Sequence, residues 1–223
     1  MAHESRQATF EAGVKPRLRG VLHQYAFVLA VVAATALVAA AETPGRRAAV
    51  AVYGVSIVAM FACSALYHRF TWPPAQRRRL RRLDHAMIYV LIAGTYTPFA
   101  TLALSGVSRI AVLSVVWVGA LAGIGLVLVW TNRPKWVEAL LAATLGWVGI
   151  IVLPQLLESV GVTAVALVLV GGVFYTAGSV IYARRRPDPA PSVFGYHELF
   201  HALVIVAAAC QYVAIASFAL GDP

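Results

Sequence analysis

The run Tyr196–Leu220 reads YHELFHALVIVAAACQYVAIASFAL. Its polar opening, His197-Glu-Leu-Phe-His201, leads into an apolar stretch with no further charge. A helix rises 1.5 Å per residue, so such a run covers the roughly 30 Å hydrocarbon core of a bilayer. Working outward, six more stretches of about the required length precede it: Leu22 to Ala41, Val50 to Phe70, Leu83 to Leu104, Ile110 to Trp130, Trp136 to Leu157 and Val162 to Ala183. Pro44-Gly45, Pro73-Pro74, Ser105-Gly106, Asn132-Arg133-Pro134 and the Pro187 to Pro191 segment punctuate the joins, as chain breakers should. The pattern predicts an all-α, polytopic membrane protein with seven transmembrane helices. A cytoplasmic segment, residues 1–20, would precede one transmembrane domain over residues 21–220. The connections are short, so successive helices are antiparallel neighbours.

Composition agrees. Of 223 residues, 61% are hydrophobic and 12% charged, too apolar for a soluble domain of this size. Ala39, Ala40 and Ala41 resemble a signal-peptide cleavage site, but the preceding run exceeds the usual apolar region of about 7–15 residues, so it reads as an uncleaved first span. Cys63 and Cys210 lie inside apolar runs without metal or disulfide spacing, and read as reduced core residues.

The net charge of +9 is a topology signal, not a nucleic-acid footprint. Arg6, Lys15, Arg17 and Arg19 precede the first stretch. Arg69, Arg77, Arg78, Arg79, Arg81 and Arg82 lie between the second and third. Arg133 and Lys135 join the fourth and fifth, and Arg184, Arg185 and Arg186 follow the sixth. All fall on one side; only Arg46, Arg47 and Arg109 fall on the other. The positive-inside rule then puts the N-terminus in the cytoplasm and the C-terminus outside, in a multi-pass cell-membrane protein. The basic loops would meet anionic lipid head groups.

That topology brings ionisable groups from three stretches to one membrane depth. His68 ends the second, Asp84 and His85 open the third, and His197, Glu198 and His201 open the seventh. The outer side has only Glu42, Glu158 and Asp222, spread apart. Two histidines four apart share a helix face, one about 6 Å deeper than the other, which suits two ligands on one zinc ion. Facing lipid they would have no partner, so they should turn inward and meet. Three neutral imidazoles and a water would complete a tetrahedral zinc site, with the water's pKa lowered toward about 7. His68, His23 and His85 are rival third ligands, all at cytoplasmic helix ends. Asp84 either joins the site or pairs with an arginine of the Arg77–Arg82 run. Ser64, one turn before His68 on the same face, is on its own a small packing residue.

Ser64-Ala-Leu-Tyr-His68, Leu83-Asp84 and His197-Glu-Leu-Phe-His201 together resemble the progestin and adipoQ receptor family, and within it the bacterial haemolysin III branch. Lys15-Pro-Arg-Leu-Arg-Gly20 and Ala93-Gly-Thr-Tyr-Thr-Pro98 are similar to that branch too. The resemblance runs from about Lys15 to Leu220. It implies seven helices with zinc near the cytoplasmic side, held by His68, His197 and His201, with Asp84 holding the zinc-bound water and Ser64 close around it. His23 and His85 have no ligand role in that pattern. Eukaryotic members are hormone-sensing proteins linked to ceramide hydrolysis, and the wider superfamily includes alkaline ceramidases. The long N-terminal cytoplasmic region of animal receptor members has no counterpart before Lys15 in this sequence, so a receptor role is not expected.

Three functions follow as expectations. The first is zinc-dependent hydrolysis of a lipid amide or ester, with an acyl chain entering from the bilayer and Asp84 as general base. The second is a non-enzymatic membrane-homeostasis or haemolytic pore-forming role with a structural zinc. The third takes His197–His201 as an H-E-x-x-H metalloprotease motif with Glu198 as base. A protease's third ligand would usually follow the motif, and here only Asp222 does, a membrane thickness away.

Overall fold

The computed structural model describes residues 15–221. Arg6, Asp222 and residues 1–14 of the N-terminal segment lie outside the described residues. The described chain is helical, with one isolated bridge, Ala190 to Phe194, as its only β-type pairing. Its helices are α1 Val21–Ala40, α2 Pro44–Arg69, α3 Pro74–Pro98, α4 Gly106–Val129, α5 Lys135–Gly146, α6 Leu153–Arg184 and α7 Tyr196–Ala219. A π-helical turn, Phe99–Ala103, extends α3, and a 3₁₀ turn, Val148–Val152, joins α5 to α6.

The boundaries have local causes. Thr43 caps α2, its hydroxyl accepting from Arg46 N–H at 3.2 Å, and Pro44 and Pro74 occupy first-turn positions where no N–H is required. Helix α3 begins at Pro74, well before Leu83, so the arginine run is itself helical. At its other end Pro98 cannot donate to the carbonyl four residues back, and the helix widens into the π turn.

Six helical segments are long and apolar enough to cross a bilayer. One of them, Lys135–Arg184, covers 50 residues. It is not straight: Trp147 Nε1 donates to Thr176 Oγ1 at 2.9 Å, whereas a continuous helix would hold those residues about 43 Å apart. The reversal comes at Gly161, whose φ of 78° and ψ of 169° suit glycine alone. The expected join between Leu157 and Val162 is thus a single glycine.

Large apolar side chains such as Leu29, Val118, Val129 and Ile151 face outward, as lipid contact requires. Between helices, fully buried alanines (Ala93, Ala100, Ala207, Ala214, Ala219) permit close approach where lipid leaves no hydrophobic drive for association. Contacts at the two ends are distinct. Arg46 Nη1 donates to Gly221 O at 3.0 Å, joining the start of α2 to the end of α7. The opposite end gathers the end of α2, the starts of α1, α3, α5 and α7, and most of the arginines.

Candidate metal centre

His68 lies on the last turn of α2, and His197 and His201 on the first two turns of α7. All three are buried, and one nitrogen from each lies within 4.8 Å of the others. His68 Nε2 and His197 Nε2 are 3.1 Å apart. The three rings are inclined to one another by 60° to 65°, with centroids 4.5 to 5.1 Å apart.

This donor set can hold a metal ion and is compatible with zinc. Two ligands on a tetrahedral zinc with bonds of about 2.0–2.1 Å stand about 3.3 Å apart, close to the His68–His197 separation. His201 Nδ1 is buried without a hydrogen-bond partner. Buried polar atoms rarely stay unpaired without reason.

Asp84, at the start of the apolar part of α3, places Oδ2 3.5 Å from His68 Nε2. The arginines that precede it turn elsewhere: Arg81 Nη2 donates to Thr131 O at 2.5 Å and Arg82 Nη2 to Thr131 Oγ1 at 2.7 Å. Ser64 Oγ lies 2.7 Å from His23 Nδ1, and the His23 ring stacks on His201 with centroids 3.8 Å apart. His23 therefore backs the cluster without joining it. His85 also stands apart. Its Nδ1 is 2.6 Å from Glu138 Oε1, and Arg133 Nη2 reaches the same oxygen at 2.8 Å.

Glu198 sits between the two α7 histidines in sequence but faces away from their work. It is fully buried. Its Oε2 accepts from Gly195 N–H at 2.9 Å, and Oε1 is 2.5 Å from Arg19 Nε. Both oxygens are engaged, which leaves no free base of the kind a metalloprotease reading requires.

Sequence reasoning missed Glu138, although a carboxylate inside an apolar stretch is a readable signal. It also missed the His23–Ser64 bond, for which spacing offered none. Lys135 was read from the sequence only as a loop charge; its ammonium donates to Tyr196 Oη at 2.7 Å and lies over the Tyr182 ring.

The cluster stands at one end of a cavity of about 180 Å³. Asp84, Ser64, His197 and His201 line that end, and Leu91, Phe99, Leu104 and Val112 line its far reaches. Asp84 and Phe99, at the end of α3, are about 22 Å apart along the helix axis, and both line the cavity, which is long and mostly apolar.

The haemolysin-III related family model matches residues 12–212. Hemolysin-3 of Bacillus cereus is 28% identical over 203 residues, covering 90% of each chain. The hemolysin-3 homolog of Bacillus subtilis (strain 168) is 28% identical over 172 residues, covering 77% of this chain and 78% of its own. The human monocyte to macrophage differentiation factor is 24% identical over 205 residues, 90% of this chain and 83% of its own. With the apolar helices, these matches turn the three-motif resemblance into membership: the chain belongs to the haemolysin-III related family of multi-pass membrane proteins.

Proposed function

We propose that this protein is a zinc-dependent hydrolase of a lipid amide or ester, with His68, His197 and His201 as ligands and Asp84 as proton acceptor. In this reading the Lys135–Arg184 segment crosses twice around Gly161. The chain then spans the membrane seven times, N-terminus in the cytoplasm and C-terminus outside, with the cluster near the cytoplasmic face. The observation that carries the proposal is the meeting of three buried imidazoles and a carboxylate at the end of a long apolar cavity.

A zinc ion held there would supply a Lewis acid that polarises a carbonyl and lowers the pKa of water. The protein's own residues do the rest. The apolar walls formed by Leu91, Phe99 and Leu104 take an acyl chain and keep bulk water from it. Asp84 Oδ2 takes the proton of the attacking water and returns it to the leaving group. The Ser64 hydroxyl and His23 form a bonded pair behind His201 that fixes its ring.

The test is incubation of the purified protein with a panel of ceramides and phospholipids in detergent. Metal-dependent release of fatty acid, lost in Asp84→Asn, supports the proposal. No release across the panel, with zinc still bound, favours the second reading, a non-enzymatic membrane role with structural zinc. That reading draws on the names of the Bacillus relatives. Against its pore-forming version stands the apolar lining of the cavity, a poor path for ions.

A further inference from the structure

The residues just before α1 run across the end of the bundle that holds the histidines. Lys15 Nζ donates to the carbonyls of Arg69 at 2.9 Å and Phe70 at 3.4 Å, where α2 ends. The N–H groups of Arg17 and Leu18 donate to the carbonyls of Ser192 and Val193, each at 3.1 Å, in the loop that leads into α7. Arg19 Nε faces Glu198 Oε1 on the first turn of α7. Gly20, at φ 77°, lies directly on His68: a Cβ there would stand 2.7 Å from His68 Cβ. One short segment therefore touches both helices that carry the histidines, although those helices are far apart in sequence.

A buried ion pair adds little net stability over apolar side chains of the same volume. The Arg19–Glu198 pair links the segment before α1 to the first turn of α7. The Glu198 carboxylate holds the N–H of Gly195 from within α7, and Arg19 ties that carboxylate to the segment that rests on His68. Metal ligands must be held to within about half an ångström of their working positions, and the residues around the ligands supply that precision.

We propose that residues 15–20 form a clamp that sets the separation between His68 and the His197–His201 pair, with Arg19, Gly20 and Glu198 as positioning residues for a bound metal. The inference rests on the reading of the three histidines as ligands. It also assigns the glutamate of the H-E-x-x-H run a task other than base.

The test compares zinc affinity by competition with a chelator, and the visible absorption of the cobalt(II)-loaded protein, across a set of variants. Glu198→Gln keeps an acceptor for Gly195 N–H but removes the anion facing Arg19. Arg19→Ala removes the cation, Arg19→Lys keeps it, and Gly20→Ala presses a methyl group toward His68. Leu37→Ala, in the far half of α1, is the control for general destabilisation. The expected result is zinc binding about 10- to 100-fold weaker in Glu198→Gln, Arg19→Ala and Gly20→Ala, with an altered cobalt spectrum. Arg19→Lys should recover part of the loss, and Leu37→Ala should lower the melting temperature while leaving affinity and spectrum unchanged. Wild-type affinity and spectrum in the clamp variants would overturn the clamp, as would an equal loss in Leu37→Ala. A wild type that takes up no metal overturns the ligand reading first, and shows itself before any substitution is made.

Discussion

Asp84 is a partly buried carboxylate and Glu198 a fully buried one, both close to a histidine, and their neighbours give them different surroundings. Both Glu198 oxygens are engaged, by a backbone N–H and a guanidinium. Asp84 borders the cavity with Oδ2 beside His68. Asp84→Asn should therefore cut fatty-acid release by about 10²- to 10⁴-fold, the usual contribution of a general base, while metal analysis still finds zinc. Equal release by wild type and Asp84→Asn would remove the aspartate from the reaction. The histidines divide the same way. His68→Ala and His197→Ala should each lose zinc, whereas His85→Ala should retain it, because His85 is taken up by Glu138 and Arg133. Full zinc retention in the first two would sink the ligand assignment. At this scale the four-residue spacing of His197 and His201 was readable from the chain. Spacing left open the choice among His23, His68 and His85, because all three end or begin helices at one depth; the family resemblance pointed to His68, and of the three it is His68 that stands grouped with His197 and His201.

The helices themselves were mostly legible, because proline and glycine breakers mark the joins between the apolar runs. The exceptions lie where the signal was faint. The join expected between Leu157 and Val162 falls at Gly161, but the sequence did not show that one glycine would make the whole turn, since Gly171 and Gly172 remain helical within α6. Only the backbone angles separate them. Gly161→Ala forces a side chain into a conformation that costs about 1–3 kcal/mol outside glycine. It should lower the thermal midpoint in detergent, and substituting alanine at Gly125, which has open space around its α-carbon and an ordinary φ, should not. Equal midpoints for the two variants would mean that the reversal at Gly161 adapts without strain.

For the whole molecule, the arginine asymmetry and the apolar runs were enough to place the chain in a membrane. The cavity was not readable, since its walls come from several helices whose facing residues are as apolar as those facing lipid. The crossing number is the property that most depends on the fold-back, and it leads to a sharp experiment. If Lys135–Arg184 crosses twice, Ser159 beside the reversal lies on the outer side with Ser105, and Ala75 lies on the inner side with the arginines. All three positions are exposed. Single cysteines at Ser105 and Ser159 should then react with a membrane-impermeant thiol reagent in intact cells, and one at Ala75 only after the cells are opened. The parent protein, with Cys63 and Cys210 partly buried inside helices, provides the background. Protection of Ser159→Cys beside a reactive Ser105→Cys would mean that the hairpin tip stays within the membrane. The count would then drop to five, because both arms of the hairpin would return to the inner side, and the end of α7 would stay outside. Reaction of Ala75→Cys in intact cells would invert the whole assignment, carrying the histidine cluster to the outer face along with the arginines that surround it.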